Sequence, residues 1–255
     1  MTEEENYIVV EHVNKYFLRG DEKMQILQDV SFSVAKGEMV CIVGASGCGK
    51  STLLRAVAGL DPMYEGRITV DGQPVVKPEK GRGIVFQEHR LFPWMTVRQN
   101  IMYGLSKMDK KSKNELVDQH INLVRLNGFE NSYPRQLSGG MAQRAGIARA
   151  LVNNPPVLLL DEPFGALDTF TKINMQKELK RIQKESKTTM LLVTHDIDEA
   201  VFLADKVIVF SSRPGKIEAT IKVDLPEIEG AYRDRNSIEF LNVRRKIYDL
   251  FFEEK

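Results

Sequence analysis

Residues 44–51 read Gly44-Ala45-Ser46-Gly47-Cys48-Gly49-Lys50-Ser51, and this stretch decides the fold. The apolar run Met39–Val43 before it predicts a buried strand, and the residues from Thr52 onward predict a helix. Spaced glycines followed by Lys and Ser, between a strand and a helix, form the pattern of a loop that binds nucleotide phosphates. The alternative, a glycine-rich turn before an ordinary helix, is disfavoured because every fixed position of the pattern is filled in the required context.

The residue types of this loop suit phosphate binding. Glycines at 44, 47 and 49 let the backbone turn sharply and point N–H groups at phosphate oxygens, and the helix N-terminus adds a partial positive charge. Lys50 is expected to reach the β- and γ-phosphates, and the Ser51 hydroxyl to bind Mg²⁺. The loop and the adjoining Thr52 are therefore the predicted nucleotide site.

Composition and charge narrow the possible partners. Among 255 residues, 36 Lys and Arg nearly balance 35 Asp and Glu, so no overall field favours nucleic acid or an anionic membrane. The acidic start, residues 1–5, lacks the features of a signal peptide, and no apolar stretch is long enough to span a bilayer. The two cysteines, Cys41 and Cys48, fit a reducing cytoplasm. Any role at a membrane is therefore expected to come through a partner.

Short runs rich in Val, Ile and Leu alternate with helical patterns, which predicts an α/β fold with a mostly parallel sheet. These runs are Tyr7–Val10, Met39–Val43, Ile84–Phe86, Val157–Leu160, Met190–Val193 and Val207–Phe210. Val30–Val34 and Gly66–Val70, the latter followed by the turn Asp71-Gly72, predict an antiparallel β part instead. Helical patterns replace strands between Gln87 and Pro156, which predicts an inserted helical subdomain.

Two carboxylates, Asp161 and Glu162, follow the apolar run Val157–Leu160. At the carboxyl end of a buried strand, Asp161 is placed to hold Mg²⁺, directly or through water. Glu162 is then expected near the γ-phosphate, as the general base that polarises the attacking water. An acidic pair after a strand is often only a loop start or a helix cap. The phosphate loop in the same chain favours the functional interpretation.

Ser138-Gly139-Gly140 opens another predicted helix. With Ser138 as N-cap, the paired glycines leave N–H groups exposed at the helix start, which predicts a second anion site. A lone Ser-Gly-Gly is more often a plain cap. Shortly before the strand that ends in Asp161, however, Leu137–Met141 resembles the signature motif of ATP-binding-cassette (ABC) proteins, which GTPases, kinases and helicases lack.

The resemblance to ABC proteins covers nearly the whole chain and implies a P-loop NTPase (RecA-like) core that hydrolyses ATP with Mg²⁺. It implies that Gln87 contacts Mg²⁺ and the attacking water and couples to a membrane partner. Asp168 matches the residue at the dimer interface, and His195 the switch histidine that contacts the γ-phosphate. Phe17 matches the aromatic residue that stacks on adenine, although Tyr16 is adjacent.

The resemblance also implies a domain organisation. The ABC ATPase domain is expected over residues 5–235, with a core at 5–87 and 157–212 and the helical subdomain at about 88–156. A C-terminal extension, residues 213–255, is predicted to contain a helix. One face of that helix is expected to carry Phe240, Val243, Ile247, Leu250 and Phe251.

Met141 departs from the family pattern, which most often has Gln at this position. The contacts to the opposite nucleotide are expected mainly from the Ser138 hydroxyl and from the N–H groups of Gly139 and Gly140. We therefore expect the activity to be retained, with a Met141→Gln variant within about tenfold of it.

The sequence is similar to the ATPase subunits of importers for nitrate, sulfonate, taurine and similar small anions. Gln87–Trp94 combines the coupling glutamine with large apolar residues and predicts a docking surface for a transmembrane permease, although a core role for Leu91, Phe92 and Trp94 is an equal alternative. The similarity implies a peripheral protein on the cytoplasmic face of the membrane. A periplasmic or lipid-anchored substrate-binding protein would act only through the permease.

The family mechanism implies a head-to-tail homodimer. Each ATP would lie between the 44–51 loop of one copy and Ser138–Gly140 of the other. The ATPase subunit of another ABC transporter class remains an alternative, as does an ABC ATPase that is not linked to transport. A role on nucleic acid is disfavoured by the balanced charge.

Overall fold

The computed structural model describes residues 6–20, 22–105, 108–228 and 232–252. Residues 1–5, which hold the acidic start and the predicted first residue of the ATPase domain, lie outside these ranges. The strands are β1 (Asn6–Arg19), β2 (Glu22–Ala35), β3 (Met39–Val43), β4 (Glu65–Val70), β5 (Gln73–Pro74), β6 (Arg82–Val85), β7 (Val157–Asp161), β8 (Thr189–Thr194), β9 (Lys206–Phe210), β10 (Ile217–Lys222), β11 (Glu227–Ile228) and β12 (Tyr232–Arg233). The α-helices are α1 (Lys50–Val57), α2 (Val97–Met102), α3 (Lys110–Leu123), α4 (Gly139–Leu151), α5 (Thr169–Ser186), α6 (Ile197–Leu203) and α7 (Ile238–Phe252).

The main sheet has six strands in the order β10-β9-β3-β8-β7-β6. Strands β9, β3, β8, β7 and β6 pair in parallel, and β10 is an antiparallel edge strand on β9. The predicted α/β fold with a mostly parallel sheet is therefore confirmed. Because parallel strands present their carboxyl ends at one edge, the loop after β3 shares that edge with the residues that follow β6, β7 and β8.

Both faces of the main sheet are covered. In β3, Met39, Cys41 and Val43 pack into an apolar cluster with the helices α2–α7, whereas Val40 and Ile42 pack with α1 and the antiparallel sheet. Successive side chains of a strand point to opposite faces, so a strand between two apolar layers needs an apolar residue at every position. This is why the strand before the phosphate loop reads as an unbroken apolar run.

The antiparallel sheet has the order β2-β1-β4-β5. Its first two strands are 14 residues each, longer than the predicted runs, because they form one hairpin with several register shifts. The Asp71-Gly72 turn joins β4 to β5, as predicted. This sheet covers the face of the main sheet from which α1 begins, so β2 lies close to the phosphate loop.

Helices α2, α3 and α4 lie within the segment predicted to be helical, and their N-caps explain where they start. Thr96 and Gln99 form a reciprocal capping box at α2, Asp109 caps α3 and Ser138 caps α4. Strand β6 ends at Val85, so Phe86 lies outside the strand predicted over Ile84–Phe86. The division of the chain into subdomains stays a prediction.

The C-terminal segment contributes a strand to the main sheet and a helix to the helical layer on one of its faces. Strand β10 completes the main sheet and α7 packs on α6. Phe240 and Ile247 are fully buried, and Val243 and Phe251 pack at the edge of the core, but Leu250 is 36% exposed. Leu250 lies at the margin of this face, because ten residues at about 100° each bring it about 80° around the helix from Phe240. Within the described ranges, no helix is both long and apolar enough to cross a membrane.

Candidate functional site

The phosphate loop lies where the sequence predicts it, between the end of β3 at Val43 and the start of α1 at Lys50. Gly49 caps α1 with a φ of +104°, in the region that favours glycine. A Cβ on this residue would lie 2.7 Å from Cδ2 of Leu27. The missing side chain therefore lets the loop pass under β2 and turn directly into α1, whose first N–H groups have no partner within the helix.

Lys50 is almost fully buried, at 5% exposure, and its ammonium lies inside the loop. Its Nζ donates to the carbonyl oxygens of Gly44 at 2.7 Å and Ala45 at 2.9 Å. The loop thus holds a positive charge at its own centre before any phosphate binds. An anion entering the loop would meet this charge together with the free N–H groups of α1.

Ser51 and Asp161 meet across the sheet although 110 residues separate them. The Ser51 hydroxyl donates to Oδ1 of Asp161 at 2.6 Å. Burial raises the pKa of the Asp161 carboxyl, and the hydrogen bond from Ser51 opposes that shift only in part. A hydroxyl and a carboxylate at this position, with the amide oxygen of Gln87 in the same cavity, are the hard oxygen ligands that suit Mg²⁺.

Glu162, which follows β7, contacts side chains that follow β6 and β8. It follows β7 with a φ of +44°, an unfavourable conformation for a non-glycine residue, and its N–H donates to Val193 O of β8 at 3.0 Å. Its Oε2 accepts from Nε2 of Gln87 at 3.4 Å and lies 3.1 Å from Nδ1 of His195. The strained backbone therefore directs a carboxylate between an amide and an imidazole.

One cavity of about 520 Å³ contains the phosphate loop and these side chains. Its lining residues from the predicted site are Phe17, Ser46, Gly47, Gly49, Lys50, Ser51, Thr52, Gln87, Glu162 and His195. Asp161 is hydrogen-bonded to Ser51 but does not itself line the cavity, and neither do Gly44, Ala45 and Cys48. The polar end holds the carboxylate, amide and imidazole groups, and the antiparallel sheet supplies the apolar end.

The apolar end of the cavity is formed by Phe17, Met24 and Ile26. Tyr16, the adjacent aromatic residue, lies outside it: its hydroxyl accepts from Gln25 at 3.3 Å and its ring lies 4.2 Å from Nζ of Lys23. Sequence reasoning missed Met24 and Ile26. Their spacing of two residues on a strand places both on one face and was the available signal.

Arg213 also lines the cavity and was also missed as a site residue. It lies in the turn between β9 and β10, where Arg213-Pro214-Gly215 predicts a turn from the sequence but gives no sign of a binding site. Its guanidinium donates to the Gly47 carbonyl from Nε at 3.2 Å and from Nη2 at 3.0 Å. No local pattern reveals this contact, because 166 residues separate the two.

Ser138, Gly139 and Gly140 line a different cavity, of about 310 Å³, together with Asp168. The Ser138 hydroxyl accepts from the N–H of Met141 at 3.2 Å, as expected of an N-cap. Asp168 caps α5, and hydrogen bonds from Thr171 lower the pKa of its carboxyl. The cavities at Ser138 and at the phosphate loop share no lining residue. Each therefore presents anion-binding groups separately within one chain.

Comparison with known proteins decides the family. A model of the ABC transporter family matches residues 27–165. The aliphatic sulfonates import ATP-binding protein SsuB of Bacillus cereus is 48% identical over 244 residues, 96% of this chain and 95% of that protein. The nitrate import ATP-binding protein NrtD of Synechocystis sp. is 46% identical over 231 residues, 90% of this chain and 87% of that protein.

The chain belongs to the ABC transporter family. It is an ATP-binding, ATP-hydrolysing cassette, which confirms the resemblance derived from the motifs. Among solved structures, the dimeric ATP-binding cassette MJ0796, bound to ADP and Pi in a post-hydrolysis state, matches with a TM-score of 0.79 and 32% identity. That match covers 85% of this chain and 99% of the other. The P-loop NTPase fold predicted from the sequence is thereby confirmed.

The cassette exposes aromatic side chains in the part of the chain that follows Gln87. Leu91 is buried, but Trp94 is 69% exposed and Tyr103 is 63% exposed. The half-buried Phe92 packs against both, with ring centroids 5.5 Å from Trp94 and 4.5 Å from Tyr103. Leu91 therefore has the core role that one interpretation predicts. Trp94 instead lies at the surface, as a docking role requires.

Cys48 lies in the phosphate loop, just before the N-terminus of α1. From the sequence, this position predicts a packing residue that reagents could still reach, but the side chain is only 1% exposed. Its sulfur lies in the apolar layer between the main sheet and the antiparallel sheet. Both cysteines of the cassette are free and buried.

Proposed function

We propose that this cassette is the ATPase subunit of an importer and energises uptake of a small anion, of the sulfonate, nitrate or taurine class, through a membrane permease. One observation carries the ATPase part of the proposal: Glu162, Gln87 and His195 come together over the phosphate loop in a single cavity. The anion class is supported by relatives named for import of aliphatic sulfonates and nitrate.

The geometry suggests a role for each side chain toward ATP. The phosphates enter the 44–51 loop, where Lys50 neutralises the β- and γ-phosphates and the N–H groups of α1 bind their oxygens. Phe17 stacks on the adenine at the apolar end. Ser51, Asp161 and Gln87 would hold Mg²⁺, which when bound would neutralise phosphate charge.

Glu162 is the general base of the proposed reaction. Its carboxylate accepts a proton from the attacking water while Gln87 and His195 hold its Oε2 in position. The exposed His195 imidazole is also free to turn toward the γ-phosphate. Because all three side chains follow strand ends, small movements of β6, β7 and β8 would change their mutual distances, which would couple the γ-phosphate to the rest of the cassette.

The second anion site is proposed to act on the ATP of a second copy. The N–H groups at the start of α4, with the Ser138 hydroxyl, would bind the γ-phosphate held by the partner's loop. Asp168 lies in the same cavity and would be at the interface. A head-to-tail homodimer with two ATP molecules at the interface follows, and the match to a cassette described as dimeric supports it.

The surface Gln87–Trp94 is the proposed docking site for the permease. Trp94 and Tyr103 offer exposed aromatic area in the part of the chain that follows Gln87. Large exposed aromatic groups are typical of protein interaction sites. The cassette would then be peripheral on the cytoplasmic face of the membrane, with a substrate-binding protein acting through the permease.

The test is co-expression with a candidate importer permease from the same organism, followed by purification through a tag on the permease. We expect the cassette to co-purify, and Trp94→Ala to reduce its recovery at least about tenfold. Ile238→Ala, which removes an equally exposed apolar side chain on α7, is the control and should co-purify normally. Normal recovery of the Trp94 variant would reject this docking surface.

The substrate is tested separately. A strain lacking this gene should lose uptake of one labelled anion among sulfonate, nitrate and taurine, and the wild-type gene should restore it. Unchanged uptake of all three would reject the proposed anion class, even if the ATPase activity is present.

A further inference from the structure

The turn between β9 and β10 packs directly against the phosphate loop. In this turn, Gly215 N donates to Ile26 O of β2 at 2.8 Å, and Gln28 N donates to Gly215 O at 3.0 Å. A Cβ on Gly215 would lie only 2.2 Å from the backbone oxygen of Cys48. The turn is therefore held between the antiparallel sheet and the loop that receives the phosphates.

Hydrogen bonds within the turn also hold it closed. The Ser211 hydroxyl accepts from Lys216 N at 3.0 Å and donates to Pro214 O at 2.9 Å. Arg213 stands at the tip of this closed turn and is exposed. Its Cα is thus fixed relative to the phosphate loop.

The guanidinium of Arg213 retains free binding capacity. Two of its N–H groups donate to the Gly47 carbonyl, and Nη1 contacts the sulfur of Met24 at 3.7 Å, which is a weak acceptor. Arginine has five N–H donors. In the described part of the chain these contacts use three at most, which leaves at least two donors on a side chain that lines the cavity.

The position of Arg213 within the cavity indicates which part of a nucleotide it faces. Met24, which it contacts, belongs to the apolar end, and Gly47 belongs to the loop that cradles the phosphates. The guanidinium therefore lies between the sites proposed for adenine and for the terminal phosphates. The acceptor groups of ATP in that region are the ribose hydroxyls and the α-phosphate oxygens.

We propose that Arg213 is a nucleotide-binding residue that donates hydrogen bonds to the ribose and α-phosphate region of ATP and, through Gly47, positions the phosphate loop. This inference rests on the proposed function, since it assumes that ATP occupies this cavity. It gives the C-terminal segment a direct role at the nucleotide, because the turn between β9 and β10 supplies one wall of the site.

The experiment compares Arg213→Ala, Arg213→Lys and Lys216→Ala in the purified full chain. Lys216 carries the same charge on the same turn and is exposed, so it controls for loss of a positive charge. We expect Arg213→Ala to raise the Kd and KM for ATP about tenfold, with kcat at saturating ATP within about twofold of wild type. Arg213→Lys should lie between, because it retains the charge without the fork geometry. Lys216→Ala should match wild type.

The analogue 2′,3′-dideoxy-ATP separates the two acceptors. If the ribose is the acceptor, the Kd of wild type for the analogue should equal the Kd of Arg213→Ala for ATP. Arg213→Ala should then bind the analogue no more weakly than wild type does. If the α-phosphate is the acceptor, Arg213→Ala should raise the Kd for the analogue by the same factor as it raises the Kd for ATP. The unfolding midpoint without nucleotide is measured for each variant and should be unchanged.

Three outcomes overturn the proposal. They are wild-type ATP affinity in Arg213→Ala, an equal loss in Lys216→Ala, and a fall in kcat with KM unchanged. Failure of the wild-type chain to bind ATP would instead reject the function on which the proposal rests, so the two failures are distinguished by the wild-type measurement.

Discussion

At the scale of single residues, Glu162 is held in an unfavourable backbone conformation between two functional side chains. A φ of +44° costs about 1–3 kcal/mol for a non-glycine residue. The surrounding sheet maintains it through the hydrogen bond from Glu162 N to Val193 O. The cost is consistent with a carboxylate that must be aimed at one point.

Replacing Glu162 by Gln should remove the general base and keep the shape of the site. We expect ATP turnover to fall about 100-fold or more. The variant should still bind ATP and accumulate as a dimer, which gel filtration with ATP and Mg²⁺ detects. Glu88→Gln, an exposed carboxylate next to Gln87, is the control and should remain active. A Glu162→Gln chain that stays monomeric under these conditions would contradict the proposed dimer.

Asp161 illustrates a charge that burial disfavours. Burial raises the pKa of its carboxyl, so just above pH 3.8 the folded chain holds a proton that the unfolded chain has lost. The stability contributed by this residue therefore decreases as the pH rises through that interval, and at neutral pH the buried charge is a cost. A bound divalent cation would offset it.

Asp161→Asn should consequently change the stability of the ligand-free protein little while it removes the response to Mg²⁺ and ATP. At pH 7 without Mg²⁺ and ATP, we expect its unfolding temperature to be no more than about 3 °C below wild type, and equal or higher if the amide keeps the contact with Ser51. The further stabilisation that Mg²⁺ and ATP give to wild type should be lost. Asp198→Asn, a partly exposed carboxylate on α6, controls for loss of charge. A large drop in the unfolding temperature of Asp161→Asn, measured without Mg²⁺ and ATP, would show that the Asp161 charge itself supports the fold.

At the scale of elements, the phosphate loop depends on a neighbour far along the chain. The turn between β9 and β10 packs so closely that Gly215 has no space for a methyl group beside Cys48 O. The local sequence predicted the turn but not its contact. By contrast, α4 follows from the sequence almost completely, because its Ser138 cap and its small residues are contiguous.

Gly215→Ala should displace the phosphate loop. A Cβ 2.2 Å from a backbone oxygen forces a shift, and overpacking of this kind typically costs about 1–3 kcal/mol. We expect a lower unfolding temperature together with weaker ATP binding. Gly81→Ala, whose added Cβ would meet its nearest atom at 3.7 Å, is the control and should be tolerated. Normal ATP affinity in Gly215→Ala would show that the turn does not support the loop.

Met141 on α4 tests the departure from the family pattern. Its N–H, which every residue type except proline supplies, donates to the Ser138 hydroxyl, while its half-buried side chain packs against the helical core. Met141→Gln is therefore expected to change ATPase activity by less than about tenfold. A larger change in either direction would assign the side chain a contact with the nucleotide.

At the scale of the whole molecule, the two anion sites of one chain open into different cavities. A composite site formed by two chains makes a specific prediction for mixtures. Lys50→Ala disables the phosphate loop. Gly139→Asp adds a negative charge at the start of α4, where a Cβ meets no atom within 4 Å and an acidic residue suits the helix N-terminus.

Each variant alone should be inactive, and mixing them should restore ATPase activity. In a mixed dimer, the intact loop of one chain meets the intact Ser138–Gly140 of the other. At equal amounts, random pairing predicts up to about a quarter of wild-type activity. Mixing Lys50→Ala with Glu162→Gln is the control, because one composite site then lacks the lysine and the other lacks the base. An inactive first mixture that still forms the mixed dimer would rule out a composite site.

Much of this protein was determined by its sequence alone. The phosphate loop, the carboxylates after β7 and the Ser138 cap are each contiguous, and a short contiguous pattern encodes its own strand, turn or helix start. The tertiary structure decided which of these meet: Ser51 with Asp161, Gln87 and His195 with Glu162, and Arg213 with Gly47. It also placed Leu91 in the core and Trp94 at the surface. The physical reason is that such contacts depend on the order of strands in the sheet, which local propensities do not specify.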